Sequence, residues 1–291
     1  MATGSVVNDR DVASVARAAG LTRVGARPPL GEYLRETWQR RGFATTFAWF
    51  RLESSNADHR LGMAWLVVKP LLNVVVYGVA FGIILPSSTR PHDFIPFLVI
   101  GVFLLEFFSR AIGDGGRSIT SNSSLVKSLS FPRILLPLSE IFESFYQLLA
   151  MLAIIVVAAL VFGEPITPRW LIAIPALLLM TIFNTGVALI VSRLTVHFRD
   201  FSQFVPFITR LLMYTTGIFY SVEAVAKDKP TVLLIVRLNP LHDYISLVRY
   251  AFMENQPYEP IYWIAGGVGA IVVFVFGFFY FWAAEEQYGR D

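Results

Sequence analysis

The 291-residue chain contains no cysteine. That absence excludes a disulfide framework, a thiolate nucleophile and a cysteine-based metal site. Charge is also scarce: Asp, Glu, Lys and Arg make up 15% of the residues, against about 25% in ordinary soluble proteins. The four histidines, His59, His92, His197 and His242, lie far apart, and none has the HExxH spacing that holds zinc. No GxxxxGK[ST] phosphate loop is present. No apolar core lies near Met1, so no cleavable signal peptide is expected. No carboxylate cluster suited to glycosyl transfer or metal binding gathers at one membrane face; Glu140 and Glu143 are a single i,i+3 pair.

What remains is apolar. Hydrophobic residues are 55% of the chain, with 25 Phe and 11 Tyr, and the mean hydropathy is +0.58. A soluble fold of this size cannot hide that much apolar surface. The chain reads as an all-α polytopic membrane protein. Six apolar stretches are expected to span, at 63–85, 94–112, 138–162, 170–192, 203–220 and 262–284. Each is long enough to cross a ~30 Å hydrocarbon core as a helix, which needs ~20 residues, and none alternates as barrel strands do.

With the N-terminus inside, sixteen Lys and Arg fall on the inner side and six on the outer, which favours both termini in the cytoplasm. Residues 1–30 read as a flexible cytosolic extension. Residues 31–61 read as an amphipathic interface helix, in which Tyr33, Leu34, Trp38, Phe43, Phe47, Phe50 and Leu52 interleave with Arg35, Arg40, Arg41 and Arg51. The alternative is a cytosolic helix packed on its own bundle. The domain proper is then 62–291.

Three segments outside the spans carry signals. In the polar loop 113–137, Asn122 or Ser121 is placed to cap a short helix through Leu125, Val126 and Leu129. Such a helix suits docking into a partner's groove; the alternative is a connecting turn. The outer segment 221–261 contains Asn239-Pro240, an N-cap followed by proline at the first helical position. Leu241, Tyr244, Ile245, Val248, Ala251 and Phe252 then recur at helical spacing. Two short re-entrant or capping helices are expected there.

Within the spans, Lys69 can snorkel. Arg210 is deeper and needs a partner or water. Glu106, Glu140 and Glu143 are candidate partners, although Glu106 already has Arg110 at i+4. Phe204, Phe207, Leu211, Tyr214 and Ile218 share one face of the fifth stretch, and Tyr77 and Phe81 pair in the first. These stripes serve either packing and lipid contact or the stacking of sugar rings. Gly266 and Ala270 form a small-residue pair for helix packing.

The segments LGMAWLVVKPLL (61–72), NSSLVKSLSFPRILLP (122–137), HFRDF (197–201) and LNPLHDYISLVRYAF (238–252) resemble the ABC-2 type permeases. The match is to the branch that exports O-antigen, teichoic acid and related lipid-linked polysaccharides. The Arg-rich N-terminal extension is most similar to actinobacterial cell-wall galactan exporters. The resemblance implies a non-catalytic permease in the plasma membrane that forms a homodimer and binds two copies of a separate ATPase, which holds the ATP and Mg. It implies no cofactor in this chain and no nucleic-acid partner. It places the ATPase contact on Asn122, Leu125, Val126, Lys127 and Leu129, with Arg133 of the Phe-Pro-Arg element beside them. It places outer gate helices around Asn239, Pro240 and Tyr244. Tyr77, Phe81, Phe204, Phe207, Arg210 and Tyr214 are then candidate lining of a glycan path. The alternatives are a drug-exporting permease of the same family and a polyprenol-linked membrane glycosyltransferase.

Overall fold

The computed structural model describes residues 27–57, 60–84, 91, 93–222 and 230–288. Most of the extension expected over 1–30, and parts of the segments 86–93 and 221–261, lie outside these residues. The helices are α1 (Leu30–Gln39), α2 (Arg41–Ala57), α3 (Trp65–Ile84), α4 (Phe94–Ser121), α5 (Ser123–Ser128), α6 (Leu135–Val161), α7 (Ala173–His197), α8 (Phe201–Thr215), α9 (Pro230–Arg237), α10 (Pro240–Phe252) and α11 (Ile261–Ala283). Short 3-10 turns precede α3 and α7. No strand occurs among the described residues.

The helix α4 is the axis of the bundle. Residues 94–105 carry no charge, and a helix apolar all round must be enclosed by lipid or by other helices; here other helices enclose it. Accordingly 18 of its 28 residues are buried. It packs against α6, α7, α3, α8 and α10. The helices α7 and α11 cross where Gly186 meets Gly277, and a Cβ on either would collide with the other helix's backbone. Gly266 also serves packing, but against α10, where a Cβ would lie 3.0 Å from the Tyr244 ring; Ala270 is fully buried in the main apolar core.

Among the described residues, five helical segments are long and apolar enough to cross a membrane: Gly62–Ile84, Phe94–Ser121, Leu135–Val161, Pro168–His197 and Ile261–Ala283. The sixth expected span, 203–220, differs. Its helix covers only 15 residues, Phe201–Thr215, or about 22 Å at 1.5 Å per residue. The chain then turns at Gly217, whose φ of +76° is left-handed. Ile218 and Phe219 fold into the bundle instead of extending the helix. Hydropathy alone counts these residues toward a span because it is blind to the turn.

Two further boundaries move. The second span runs on to Ser121, so the loop expected from 113 begins as helix. Gly115 and Gly116 permit this by pressing against Ala188 and Val191 of α7. The single helix expected over 31–61 is two helices, broken at Arg40. Ala44, Ala48 and Leu52 of α2 face the bundle and are buried. Arg51 reaches Glu140 and, at 3.2 Å, Glu143 of α6. Trp38 and Phe50 are exposed, and Trp49, half exposed, meets the Tyr146 ring of α6 edge-on at 6.0 Å.

Candidate functional site

The expected path residues fall into two connected groups. The first is an aromatic cluster where α3 meets the end of α8. Phe219 is its centre. The Phe81 ring stacks on it at 4.0 Å, the Tyr77 ring meets it edge-on at 5.2 Å, and the Tyr214 ring lies at 6.1 Å. Tyr220 donates its hydroxyl to the main-chain oxygen of Tyr214 at 2.7 Å. Phe219 carries no sequence signal of its own, because its position depends on the turn at Gly217.

The second group is the open face of α8. Phe204, Phe207, Leu211 and Tyr214 are 51–69% exposed. Ile218, expected to share their face, is fully buried because the helix has already ended. Arg210 is exposed and makes no ion pair or hydrogen bond among the described residues. Its expected partners are engaged elsewhere: Glu106 with Arg110 at 2.9 Å, and Glu140 and Glu143 with Arg51. At 100° per residue, Gln203, Arg210 and Tyr214 line up beside the Phe207 and Leu211 ridge. One surface therefore offers flat rings, a cation and hydroxyl and amide groups together.

At the end of the bundle that carries α1 and α2, Asn122 joins α4 to α5. It occupies the N-cap position of α5, but its side chain does not cap. Its Nδ2 instead donates back to the Ser118 main-chain oxygen at 2.7 Å. Val126 is buried among Tyr33, Ile119, Ile134 and Phe281. Lys127 and Leu129 are exposed, and Leu125 is half-buried. Arg133 turns inward. Its main-chain N–H donates to Glu285 Oε1 at 2.9 Å, and its Nη1 to the Glu285 main-chain oxygen at 3.3 Å. Tyr33 donates its hydroxyl to Glu285 Oε2 at 2.9 Å. Burial pushes the Glu285 carboxyl above its usual range, opposed by Arg133 and Tyr33. Burial also pushes the Tyr33 hydroxyl well up, and the neighbouring Glu285 adds to it. Glu285 was legible only as an acidic residue just past an apolar run.

At the opposite end, Asn239 caps α10 as its sequence requires, accepting from the Leu241 N–H at 3.2 Å, with Pro240 at the first helical position. Tyr244 is fully buried and donates to the Gly266 main-chain oxygen at 2.6 Å. Arg249 of the same helix was missed by sequence reasoning. It is buried and donates to the main-chain oxygens of Phe97, Gly217 and Ile218 at 2.9–3.3 Å. Its guanidinium carbon stands 3.3 Å from the Phe97 ring centre. Gly101 makes room: a Cβ there would lie 2.6 Å from Arg249 Nη2. This one side chain therefore ties α10 to the start of α4 and to the turn after α8. Asp243 is fully buried, and its carboxylate oxygens have no hydrogen-bond partner among the described residues. Burial pushes its carboxyl up to about 8.

Known proteins are similar to this chain along much of its length. Over 216 residues the chain is 29% identical to the O-antigen export system permease protein RfbA of Klebsiella pneumoniae, covering 73% of this chain and 82% of that protein. It is 23% identical over 225 residues to RfbA of Myxococcus xanthus, covering 77% and 85%. It is 24% identical over 172 residues to the capsule polysaccharide export inner-membrane protein CtrC of Neisseria meningitidis, covering 57% and 63%. Residues 45–253, from within α2 to just past α10, match the family described as ABC-2 type transporter. The aromatic cluster, the open face of α8 and the capped helix α10 all lie inside that match, and the chain belongs to the ABC-2 type transporter family.

Proposed function

We propose that this chain is the permease subunit of an exporter that moves a polyprenyl-diphosphate-linked polysaccharide from the inner to the outer face of the plasma membrane. One observation supports the substrate class: relatives named for O-antigen and capsule export align along most of this chain. Cell-wall galactan is the glycan we propose to test first. The N-terminal extension and the C-terminus are cytoplasmic, and α9 and α10 lie at the outer face. The permease works as a homodimer with two copies of a separate ATPase, which docks at α5 around Lys127 and Leu129. ATP binding and hydrolysis there shift the permease between two states, and the permease contributes differential contacts to the glycan in each. It breaks and makes no bond itself.

The path runs along the open face of α8 and past the Tyr77–Phe81–Phe219 cluster. A sliding polymer needs many weak, similar contacts, because one tight site would stall it. Aromatic faces stack on sugar rings, while Gln203, Arg210 and Tyr214 offer hydrogen bonds. This mixed surface favours glycan over the apolar seam that a drug exporter would present.

The test is glycan export in cells together with ATP hydrolysis by the reconstituted complex. Tyr214→Phe should be mild and Tyr214→Ala more severe. Phe207→Ala combined with Tyr214→Ala should export less than either single variant while hydrolysing ATP. Both side chains are exposed, so neither change opens a core cavity. If the double variant assembles, hydrolyses ATP and exports at the parental rate, the face of α8 does not line the path.

A further inference from the structure

The segment after α11 has no part in the path. It folds back against the bundle through Glu285, which is 1% exposed. One carboxylate thereby joins three parts of the chain: Tyr33 on α1, Arg133 in the segment after α5, and the end of α11. Arg133 Nη1 also stands 3.5 Å from Oε1. Val126 of α5 belongs to the same apolar cluster as Tyr33 and Phe281. Arg40 Nη1 donates to the Ser130 main-chain oxygen at 2.8 Å, a second tie between the α1–α2 junction and the segment after α5.

Apolar packing alone would hold these elements together, and replacing a buried ion pair by apolar groups is often neutral or stabilising. Directional bonds add something else, which is a fixed relative placement. We propose that Glu285 is a positioning residue: its carboxylate locks α1, α5 and the end of α11 into one rigid unit, so that displacement of α5 moves the interface helix and the last span with it. The proposal rests on the reading that the ATPase docks at α5. Without the lock, α5 moves by itself, and each ATP hydrolysed drives less export.

Glu285→Gln keeps the shape but places an amide N–H₂ where Tyr33 or Arg133 donates. Two measurements on the permease–ATPase complex test the proposal. The first places spin labels at Gln39 and Ser128, both exposed, in a chain with no native cysteine. Their separation should stay constant between nucleotide-free and nucleotide-bound parent, and should change with nucleotide in Glu285→Gln. The second is glycan exported per ATP hydrolysed. It should fall roughly tenfold in Glu285→Gln, the equivalent of one lost charge-assisted hydrogen bond, and less in Tyr33→Phe, which removes only one donor.

A parental separation that changes with nucleotide overturns the proposal. So does a Glu285→Gln complex with parental spacing and parental export per ATP. If Glu285→Gln does not assemble, Tyr33→Phe decides, and parental behaviour there overturns it. A parent that exports no glycan defeats the substrate reading alone, because the spin-label measurement does not depend on the cargo.

Discussion

Replacing Arg249 by lysine removes most of a guanidinium fork that serves three main-chain oxygens, those of Phe97, Gly217 and Ile218. Lysine keeps the charge but is a single point donor on a flexible stem and cannot span all three. Two carbonyls then lose their partner. A buried polar group left unsatisfied costs about 1–3 kcal/mol, so the loss is about 2–6 kcal/mol. Arg249 also lines a small cavity with Tyr220, His242, Ser246 and Tyr262. Water can enter there and partly satisfy the freed oxygens, which puts the expected loss near the lower end, about 2–3 kcal/mol. Reversible unfolding in detergent, followed by circular dichroism, measures this. Arg249→Met should lose more, since it retains no donor. Gly101→Ala should destabilise through the same contact, because its Cβ would lie 2.6 Å from Nη2. Combining Gly101→Ala with Arg249→Met should cost less than the sum of the two, since the clash disappears with the guanidinium. A loss under about 0.5 kcal/mol for Arg249→Lys, within the range of ordinary surface substitutions, would refute the reasoning.

Two other outcomes follow from the packing and the buried carboxyl. Gly277→Ala drives a methyl into the Gly186 backbone and should cost about 1–3 kcal/mol as overpacking at the α7–α11 crossing; an unchanged melting temperature would contradict that crossing. Asp243 has a carboxyl raised from 3.8 to about 8 in the fold, so the folded state holds its proton where the unfolded chain has lost it. Its contribution to stability is complete below the unfolded pKa and is lost as pH rises through the folded value. The parental melting temperature should therefore fall between about pH 4 and pH 8 and level off above that, and Asp243→Asn should flatten the decline; equal slopes for the two proteins would show that Asp243 does not titrate there.

The membrane class and the placement of most helices were legible because they depend on local pattern. Apolar runs of 20 residues, the Asn239-Pro240 start of α10 and the Glu106–Arg110 pair are all set within a few turns of backbone, where helical geometry leaves little choice. The family resemblance was legible for the same reason, since its motifs are contiguous. Partners across the fold were not. Arg51 rather than Arg210 meets Glu140 and Glu143, and Arg133 finds Glu285 across 152 positions. Charge alone offers many such pairings, and only the packing of α2 on α6 and of the chain's end on α1 selects among them. The length of α8 was hidden likewise. The turn at Gly217 exists because Ile218 and Phe219 gain burial against α4 and α3, a gain no local window contains. What the sequence by itself determined was thus the helices and their apolar character. The tertiary structure decided which helix lies at the centre, which charges meet, and which aromatic face of the chain stays open.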